Sequence, residues 1–571
     1  LENNFGYQYF MSEGISLDEP FYSPAKGQGG QVIRSRSETK NWTARTNLRY
    51  LTQFDDFDLS VILAHVASQY DFNYLYAERT NLVMPQGTDI SNGVVNAPGD
   101  GYTDELTTES YIANFTLNYQ EKYYLSGTFN RDGSSRFKND PWGDFYGLGA
   151  SWIASKEDFF SSDLVNFLKL KASYGVIGNA GGVGLYPGYN IYSVNNLNDN
   201  ISLAFLTKGN KDLTWESSNQ FNIGTEFEIA NRVEGSLEFY NKKTTDMFFD
   251  RRVGPSVGYA LITVNDGELV NTGIEFDLDI DVFSNDDFSF SIGMNGESFT
   301  NELTAMPIDP ATGLEQNLDV SGRYGRQKGR SLYDFYIPVY TGVNPDTGAA
   351  EWERYYDDVN GNGTFDDDTD VIITSLEQYR YDNPDATLVQ DTTDVYADAA
   401  DQFSGYTAIP DLRGAFSLNA TYGRFTFNAL FNYQFGGHAY DFAYAALMDN
   451  DFLGTNNYHV DIRNRWKAAG DVTDIPRLDG RAQLQQNSSS TRFLTKADYI
   501  ALNNIRLAYD VPEAALKTVG IDSANIYVSG DNLWLKSERK GFNPSNSVTG
   551  TSDWYRYNPL STIVFGLKLN L

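Results

Sequence analysis

The sequence predicts an all-β chain folded as a transmembrane antiparallel up-and-down β-barrel. Three observations carry that prediction. The first is a period of two. From Phe425 to Phe435 the odd positions read Phe425, Phe427, Ala429, Phe431, Tyr433 and Phe435. The even positions read Thr426, Asn428, Leu430, Asn432 and Gln434. Such alternation marks a strand with two different faces. The second is strand number and length. Roughly sixteen segments of about ten residues alternate in this way, the length a tilted strand needs to cross a bilayer. The third is the rhythm of the connections. Short turns alternate with long polar stretches, as in outer-membrane barrels, whereas a soluble sandwich has short loops at both ends.

The strands can be followed along the chain. Tyr111–Tyr119, Phe221–Ile229, Val233–Phe239, Ile274–Val282, Phe288–Met294 and Phe416–Tyr422 all alternate, and the chain closes on Ile563, Phe565, Leu567, Leu569 and Leu571. One face of most strands is almost wholly Phe, Leu, Ile, Val and Tyr, which suits lipid. Phe276, Leu278, Phe288, Phe290, Phe425, Phe427, Phe431, Phe565 and Leu567 are therefore expected to point outward. Short turns fall at Gln120-Glu121-Lys122, Ala230-Asn231-Arg232, Asn285-Asp286-Asp287 and Tyr422-Gly423-Arg424. Long polar stretches span 82–108, 177–216, 248–270, 300–410, 436–495 and 536–559, and they read as extracellular loops. The segments 152–171 and 512–519 could each hold one helical turn within a longer connection on the short-turn side.

Composition narrows the function classes. A chain of 571 residues would ordinarily hold three or four domains. Aromatics at 15% and charged residues at 21% exclude a disordered acidic chain and a coiled coil. No apolar run approaches 18 residues, so a transmembrane helix is excluded. The absence of cysteine removes disulfides, thiolate metal sites and cysteine nucleophiles together. The formal net charge of −33, from 43 basic and 76 acidic residues, repels nucleic acid and favours cations or a basic partner. The opening Leu1-Glu2-Asn3-Asn4-Phe5 is neither a signal peptide nor an initiator Met, so a processed chain or a fragment is expected.

The sharpest local motif is the acidic stretch from Asp358 to Asp370. Asp358, Asn360, Asn362 and Asp366 occupy positions 1, 3, 5 and 9 of a calcium loop of the EF-hand type. Gly363 would take the sharp turn and Thr364 would offer its carbonyl. Thr369 stands at position 12, where a bidentate carboxylate belongs, between Asp368 and Asp370. The competing reading is an acidic solvated turn. His65, His438 and His459 are the only histidines, and no partner spacing suggests a triad or a zinc site. No G-x-S-x-G elbow occurs. The glycine-rich stretch Gly178–Gly184 precedes no helix, so it lacks the N-terminus that a phosphate loop needs. No enzyme chemistry is expected.

Several stretches together resemble the SusC family of TonB-dependent outer-membrane importers of Bacteroidetes. Tyr123-Tyr124-Leu125-Ser126-Gly127-Thr128-Phe129-Asn130-Arg131-Asp132-Gly133-Ser134-Ser135-Arg136-Phe137 is similar to the family's most distinctive barrel motif. Leu168–Gly175 with Gly178-Asn179, and Asp212-Leu213-Thr214-Trp215-Glu216, are similar to further ones. So are Arg465-Trp466 with Gly470-Asp471 and Pro476-Arg477, then Tyr499–Pro512 and Tyr527–Leu533 near the end. The matches run from about residue 110 onward in family order. The acidic loop at Asp358 recurs there as well.

The resemblance implies a barrel of about 22 strands holding a globular plug, consistent with the wide strand range of such barrels. It also implies a TonB box at the N-terminus and a SusD-like surface lipoprotein as an extracellular lid. This chain departs from that pattern. No stretch resembles the plug or the TonB box, roughly sixteen strands are fewer than the family's, and Leu571 ends the chain where the family has an aromatic. The expectation is that residues 1–571 are the C-terminal part of the barrel of a longer protein; a self-contained smaller barrel is the alternative. The implied function is active import of a bulky nutrient, an oligosaccharide or a peptide. A passive porin and a soluble glycan-binding β-protein are the competing readings. Tyr186, Tyr189, Tyr192, Trp554 and Tyr555 are the loop candidates for substrate contact, each equally readable as a girdle or loop-packing residue.

Charge patterning adds one expectation independent of the family. Glu226, Glu228, Glu234, Glu238, Glu275, Asp277, Asp279 and Asp281 occupy the polar faces of three consecutive predicted strands. Paired in order, they form one acidic patch on the lumen wall, where like charges opposite each other repel. In sequence the nearby cations are Arg232, Lys242 and Lys243. The patch is therefore expected to face a basic plug surface, the alternative being a solvated acidic wall with bound cations.

Overall fold

The structure is a computed structural model that describes residues 1–570 apart from 311, 451–456, 481, 484, 517–519, 548–550 and 553–557. Sixteen long strands follow one another, each antiparallel to the next. The first four are β1 (Glu2–Asp18), β2 (Gln31–Phe54), β3 (Phe57–Leu82) and β4 (Asp100–Tyr119). Then come β5 (Tyr123–Ser134), β6 (Trp142–Ile153), β7 (Val165–Asn179), β8 (Glu216–Ile229) and β9 (Val233–Thr245). The wall continues through β10 (Glu268–Ser284), β11 (Phe288–Ala305), β12 (Leu412–Tyr422) and β13 (Phe425–Phe435). It ends with β14 (Tyr499–Asp510), β15 (Ser523–Ser537) and β16 (Thr562–Asn570). Among the described residues β1 and β16 do not pair, so the sheet stays open. No helix among them is long and apolar enough to cross a membrane, which says nothing of strands.

Turn chemistry follows the strand twist. Gln120 and Glu121 between β4 and β5 have φ of 54° and 51°, and Ala230 and Asn231 between β8 and β9 have 56° and 52°. Paired left-handed residues make the primed turns whose twist matches the flanking strands. One-turn segments at Ala154–Lys156 and Glu513–Leu516 occupy the two longer connections at the same end.

The register settles the two faces. Leu278, Met294, Phe416 and Phe431 form one row across β10 to β13. Phe425, Tyr509, Ile526 and Leu567 form another across β13 to β16, with Phe427, Leu507, Val528 and Phe565 beside it. All nine residues expected to point outward share this face. Phe565 is 82% exposed, Leu567 61% and Phe425 49%, an apolar surface that only a lipid contact makes favourable. At the short-turn end the same face carries an aromatic belt. Ring centroids lie 5.3 Å apart for Phe54–Phe57, 4.5 Å for Phe57–Tyr119, 5.8 Å for Phe283–Phe288 and 4.8 Å for Phe425–Tyr509. Such belts mark a membrane–water boundary. Tyr433 also lies on this face, over Gly296 and Gly414, and its hydroxyl donates to the Asn295 carbonyl at 2.9 Å. A Cβ on Gly414 would stand 2.1 Å from that carbonyl oxygen, so the close approach requires glycine here.

The long connections differ from simple loops. β4 begins inside the 82–108 stretch, and β11 runs on to Ala305, because these strands extend past the apolar band, where both faces carry polar residues and the pattern blurs. The segments 300–410 and 436–495 fold into a packed domain at the mouth. Asp319–Ser321, Tyr324–Arg326, Asp334–Pro338 and Asp401–Thr407 make one small sheet. Tyr340–Val343, Ala350–Asp357, Val371–Ile373 and Leu388–Thr393 make a second. His438–Asp441, Leu494–Lys496 and Thr551–Ser552 make a third, which draws in the last long loop. Phe335, Ile337, Tyr440, Met448 and Phe493 form the buried core of this domain, and Trp352 is fully buried nearby.

Candidate functional site

The inner face of β7 to β12 is a charged wall. Register places Glu228, Glu234 and Asp279 side by side in one row, and Glu226, Ser236 and Asp277 in the next. A third row runs Glu238, Glu275, Glu297 and Arg413. Asp281 stands opposite Ser291. All eight predicted carboxylates therefore share one face.

The cations differ from those the sequence suggested. Lys169 reaches Glu226 at 3.1 Å, and Lys171 reaches Glu238 at 2.8 Å and Glu226 at 3.5 Å. Lys243 turns instead to Glu268, at 2.8 Å. Both effective lysines sit on β7, which a long loop separates from β8 in sequence, so their adjacency was hidden. Arg413 donates to Glu297 from Nε at 2.9 Å and Nη2 at 2.7 Å, and the Tyr240 hydroxyl donates to the other carboxylate oxygen at 2.8 Å. Glu228, Glu234, Asp277, Asp279 and Asp281 make no ion pair among the described residues. A cavity of about 720 Å³ lies against this wall, lined by Lys171, Glu238, Glu275, Glu297, Arg413 and Tyr499, with Pro544 and Ser545 from the last long loop. The arrangement can hold a charged or strongly polar body by ion pairing and hydrogen bonding.

The sequence motifs quoted above are packing devices at the mouth. Phe137 is buried against Trp215 at 5.4 Å, and Phe145 meets the same indole at 5.4 Å. The indole Nε1 donates to the Pro141 carbonyl at 3.1 Å. Asn179 donates to Glu216 at 2.6 Å, and the other Glu216 oxygen accepts the Phe248 amide at 2.7 Å. Arg136 donates to the Ala180 carbonyl at 2.8 Å. Connections between four hairpins are tied together in this way. The second motif group clamps the turn at 344–349. Trp466 Nε1 donates to the Pro345 carbonyl at 2.9 Å, and its ring covers Gly348, whose φ is +72°. Arg477 donates to the Thr347 carbonyl at 2.5 Å.

The substrate candidates are dispersed. The Tyr186 hydroxyl accepts the Glu105 amide at 2.8 Å. Tyr189 lies under the Lys138 ammonium at 4.4 Å. Tyr192 meets Phe205 edge-on at 5.6 Å within the ribbon of Ile191–Leu197 and Asn200–Thr207. Trp554 and Tyr555 lie outside the described residues. His65, which the sequence left without a partner, contacts Glu109 at 2.9 Å across β3 and β4 and stacks on Tyr111.

In the acidic loop, Asp358 is buried and its carboxylate accepts the Asn362 amide at 3.1 Å and the Gly363 amide at 2.7 Å. Asn360 Oδ1 accepts the Asn362 amide at 3.0 Å, and Asn362 Oδ1 accepts the Thr364 amide at 2.7 Å. Asp366 Oδ1 accepts the Asp368 amide at 3.0 Å. Asp370 accepts the Val359 and Asp366 amides at 3.2 and 2.9 Å, closing the loop on itself. Among the described residues no three His, Asp or Glu side chains gather as a metal nest.

One group in the mouth domain is set to respond to pH. Burial pushes the Asp401 carboxyl up to about 6, from an ordinary value of 3.8. A carboxyl raised on folding adds stability below its unfolded value, and that stability is lost as pH rises through the folded one. The domain is therefore expected to loosen between about pH 4 and pH 6. Asp401→Asn should flatten this dependence and protect residues 306–411 from limited proteolysis at pH 7.

The barrel model of the family described as TonB dependent receptor-like, beta-barrel, matches residues 1–429. The chain belongs to this family. As a TonB-dependent receptor-like barrel it is 25% identical to a TonB-dependent receptor of Formosa agariphila, over 95% of this chain and 53% of that protein. It is 26% identical to the TonB-dependent receptor SusC of Bacteroides thetaiotaomicron, over 82% of this chain and 44% of that one. Its fold is shared with the RagAB peptide transporter, at a TM-score of 0.81 and 22% identity, covering 99% of this chain and 59% of that chain. The chain thus spans about half the length of the curated relatives it matches. These relatives are receptors and transporters rather than enzymes.

Proposed function

We propose that this barrel wall belongs to a TonB-dependent outer-membrane importer of a bulky nutrient, an oligosaccharide or a peptide. The observation that carries the reading is a sixteen-strand wall with one apolar face, one charged face and a folded domain at its mouth. Family membership supports the energy coupling, and the kinship with SusC and the RagAB peptide transporter supports the substrate size. A SusD-like surface lipoprotein closes over the mouth. TonB acts through an N-terminal region and pulls on a plug to open a path. The test is uptake by cells making the full-length protein, with labelled oligosaccharides and peptides, before and after collapse of the proton-motive force. Uptake should stop on collapse. Uptake that continues at the same rate would mark a passive porin instead.

Two parts of this reading concern particular residues. The acidic wall seats a basic face of the plug, drawing on the carboxylates that have no ion pair. Reversing Glu228, Glu234 and Asp279 to Lys is expected to raise the conductance of the full-length protein in planar bilayers, and unchanged conductance would count against it. The loop at Asp358 takes a structural Ca²⁺ through Asp358, Asn360, Asn362, Asp366 and the Thr364 carbonyl. Its backbone is already wrapped around the Asp358 carboxylate, which supports the fit. Titration calorimetry with calcium should give one site that Asp358→Ala abolishes, together with a rise in melting temperature on binding. Tyr186, Tyr189, Tyr192, Trp554 and Tyr555 remain candidates for outer contacts with the substrate.

A further inference from the structure

The tall part of the wall reverses its chemistry. Within the apolar band, β3 points Phe57, Leu59, Val61 and Leu63 outward, level with Tyr119, Leu117, Phe115 and Ala113 of β4. Above His65 the same outward positions become Ala67, Gln69, Asp71 and Asn73, beside Glu109, Thr107, Glu105 and Thr103 of β4. On β2 they face Lys40 and Glu38. On β3 and β4 those outward positions have turned polar, while Trp42 of β2 and Tyr9 and Met11 of β1 keep the outer face mixed. The inward positions change in the opposite sense. Below they are Asp58, Ser60 and Ile62; above they are Tyr70, Phe72, Tyr74 and Tyr76. The pairing is unbroken through this stretch, so the strand has not slipped and its aromatic residues have changed sides.

The inward aromatics form a continuous stripe, with Tyr102 tilted by 46° and 43° against Phe72 and Tyr74. Rings lie 6.4 Å apart for Tyr70–Phe72, with planes within 4°, and 5.8 and 5.5 Å for Phe72 and Tyr74 against Tyr102 of β4. Phe10 of β1, 64% exposed, stands in the row of Thr39 and Phe72. The rows interleave these rings with Asn41, Thr39, Ser37 and Ser35 of β2 and with Gln8 and Ser12 of β1. From Tyr70 to Tyr76, the inward positions of all four strands hold no Lys or Arg, and the only charges are Asp100 and Asp104. The cations that these four strands carry at this level, Arg36 and Lys40, are on the outer face.

We infer that this inward stripe above the membrane is a binding track for a neutral oligosaccharide. The inference rests on the importer reading and names its substrate class. Aromatic faces spaced roughly 6.7 Å apart along a strand offer repeated stacking platforms, and the flanking hydroxyls and carboxamides reach the ring substituents of a sugar. A peptide is served less well. On β2 and β3 the backbone groups are already paired on both sides, so at the rings themselves no strand edge is offered. An anionic chain is disfavoured by Asp100 and Asp104 and by the lack of any facing cation.

The test uses the full-length protein in detergent, titrated with neutral hexasaccharides of glucose, xylose and mannose, with a uronate hexasaccharide and with an uncharged hexapeptide. At least one neutral sugar should bind, and Tyr70→Ala with Tyr74→Ala should weaken it about tenfold or more. Asn73→Ala, on the outer face of the same strand, should change nothing. Heat-modifiable gel mobility checks folding. If the double variant fails to fold, Ser37→Leu and Thr39→Leu, which replace the flanking hydroxyls and keep the rings, should produce the same loss. Equal affinity in the variants, no neutral sugar bound, or preference for the peptide or uronate would overturn the track. Energy-dependent uptake measured on the same variants separates the two readings. Its persistence with unchanged sugar affinity sinks the track alone, whereas energy-independent uptake sinks the importer.

Discussion

Leu278→Arg is expected to destabilise the protein by roughly 2–4 kcal/mol when it is refolded from urea into lipid vesicles, if the position lies near the bilayer midplane. Leu278 stands in an apolar row with Met294, Phe416 and Phe431, where a guanidinium finds no water and no counter-charge. The neighbouring substitution Asp277→Arg should cost far less, because that side chain faces the lumen beside carboxylates. The contrast between adjacent positions is the informative quantity. Equal costs at both would mean that neither face meets lipid.

Phe493→Ala is expected to cost about 3–5 kcal/mol, read as loss of the mouth domain's cooperative unfolding while the strands stay folded. Phe493 is fully buried, 6.1 Å from Tyr440 and 6.3 Å from Tyr444, with the Arg492 guanidinium 4.9 Å over its ring. Removing the ring opens a cavity at the point where the 306–411 and 436–498 segments meet. It also strips one wall from Arg492, whose pKa burial already holds below the usual guanidinium range. Phe493→Leu should recover part of the loss, and full stability in Phe493→Ala would show that the two segments fold independently.

The strand interiors were legible because lipid on one side and water on the other force alternate positions into different chemistry. β13 runs from Phe425 to Phe435, the span its alternation marks. Where both faces meet water or protein, that constraint lapses. The mouth domain joins residues far apart in sequence, as when the Tyr340 amide donates to Thr491 at 2.9 Å, and no local period announces such a core. The acidic wall was legible in its carboxylates but not in Lys169 and Lys171, which come from across a long loop. The aromatic stripe escaped for a different reason. Its alternation is present in β3, but the sequence does not say that inside and outside have exchanged roles above His65. Only the unbroken register discloses it.

The central claim is that one face of this wall meets lipid and the other meets the lumen. Because the chain has no cysteine, single cysteines can be placed without background at each position from 274 to 282 and spin-labelled in the membrane-embedded full-length protein. The account predicts that collision with oxygen, which concentrates in lipid, peaks at 274, 276, 278, 280 and 282. Collision with a water-soluble nickel chelate should peak at 275, 277, 279 and 281. Two profiles of period two in opposite phase are the expected result. Profiles in the same phase, or nickel access at 276 and 278, would contradict it.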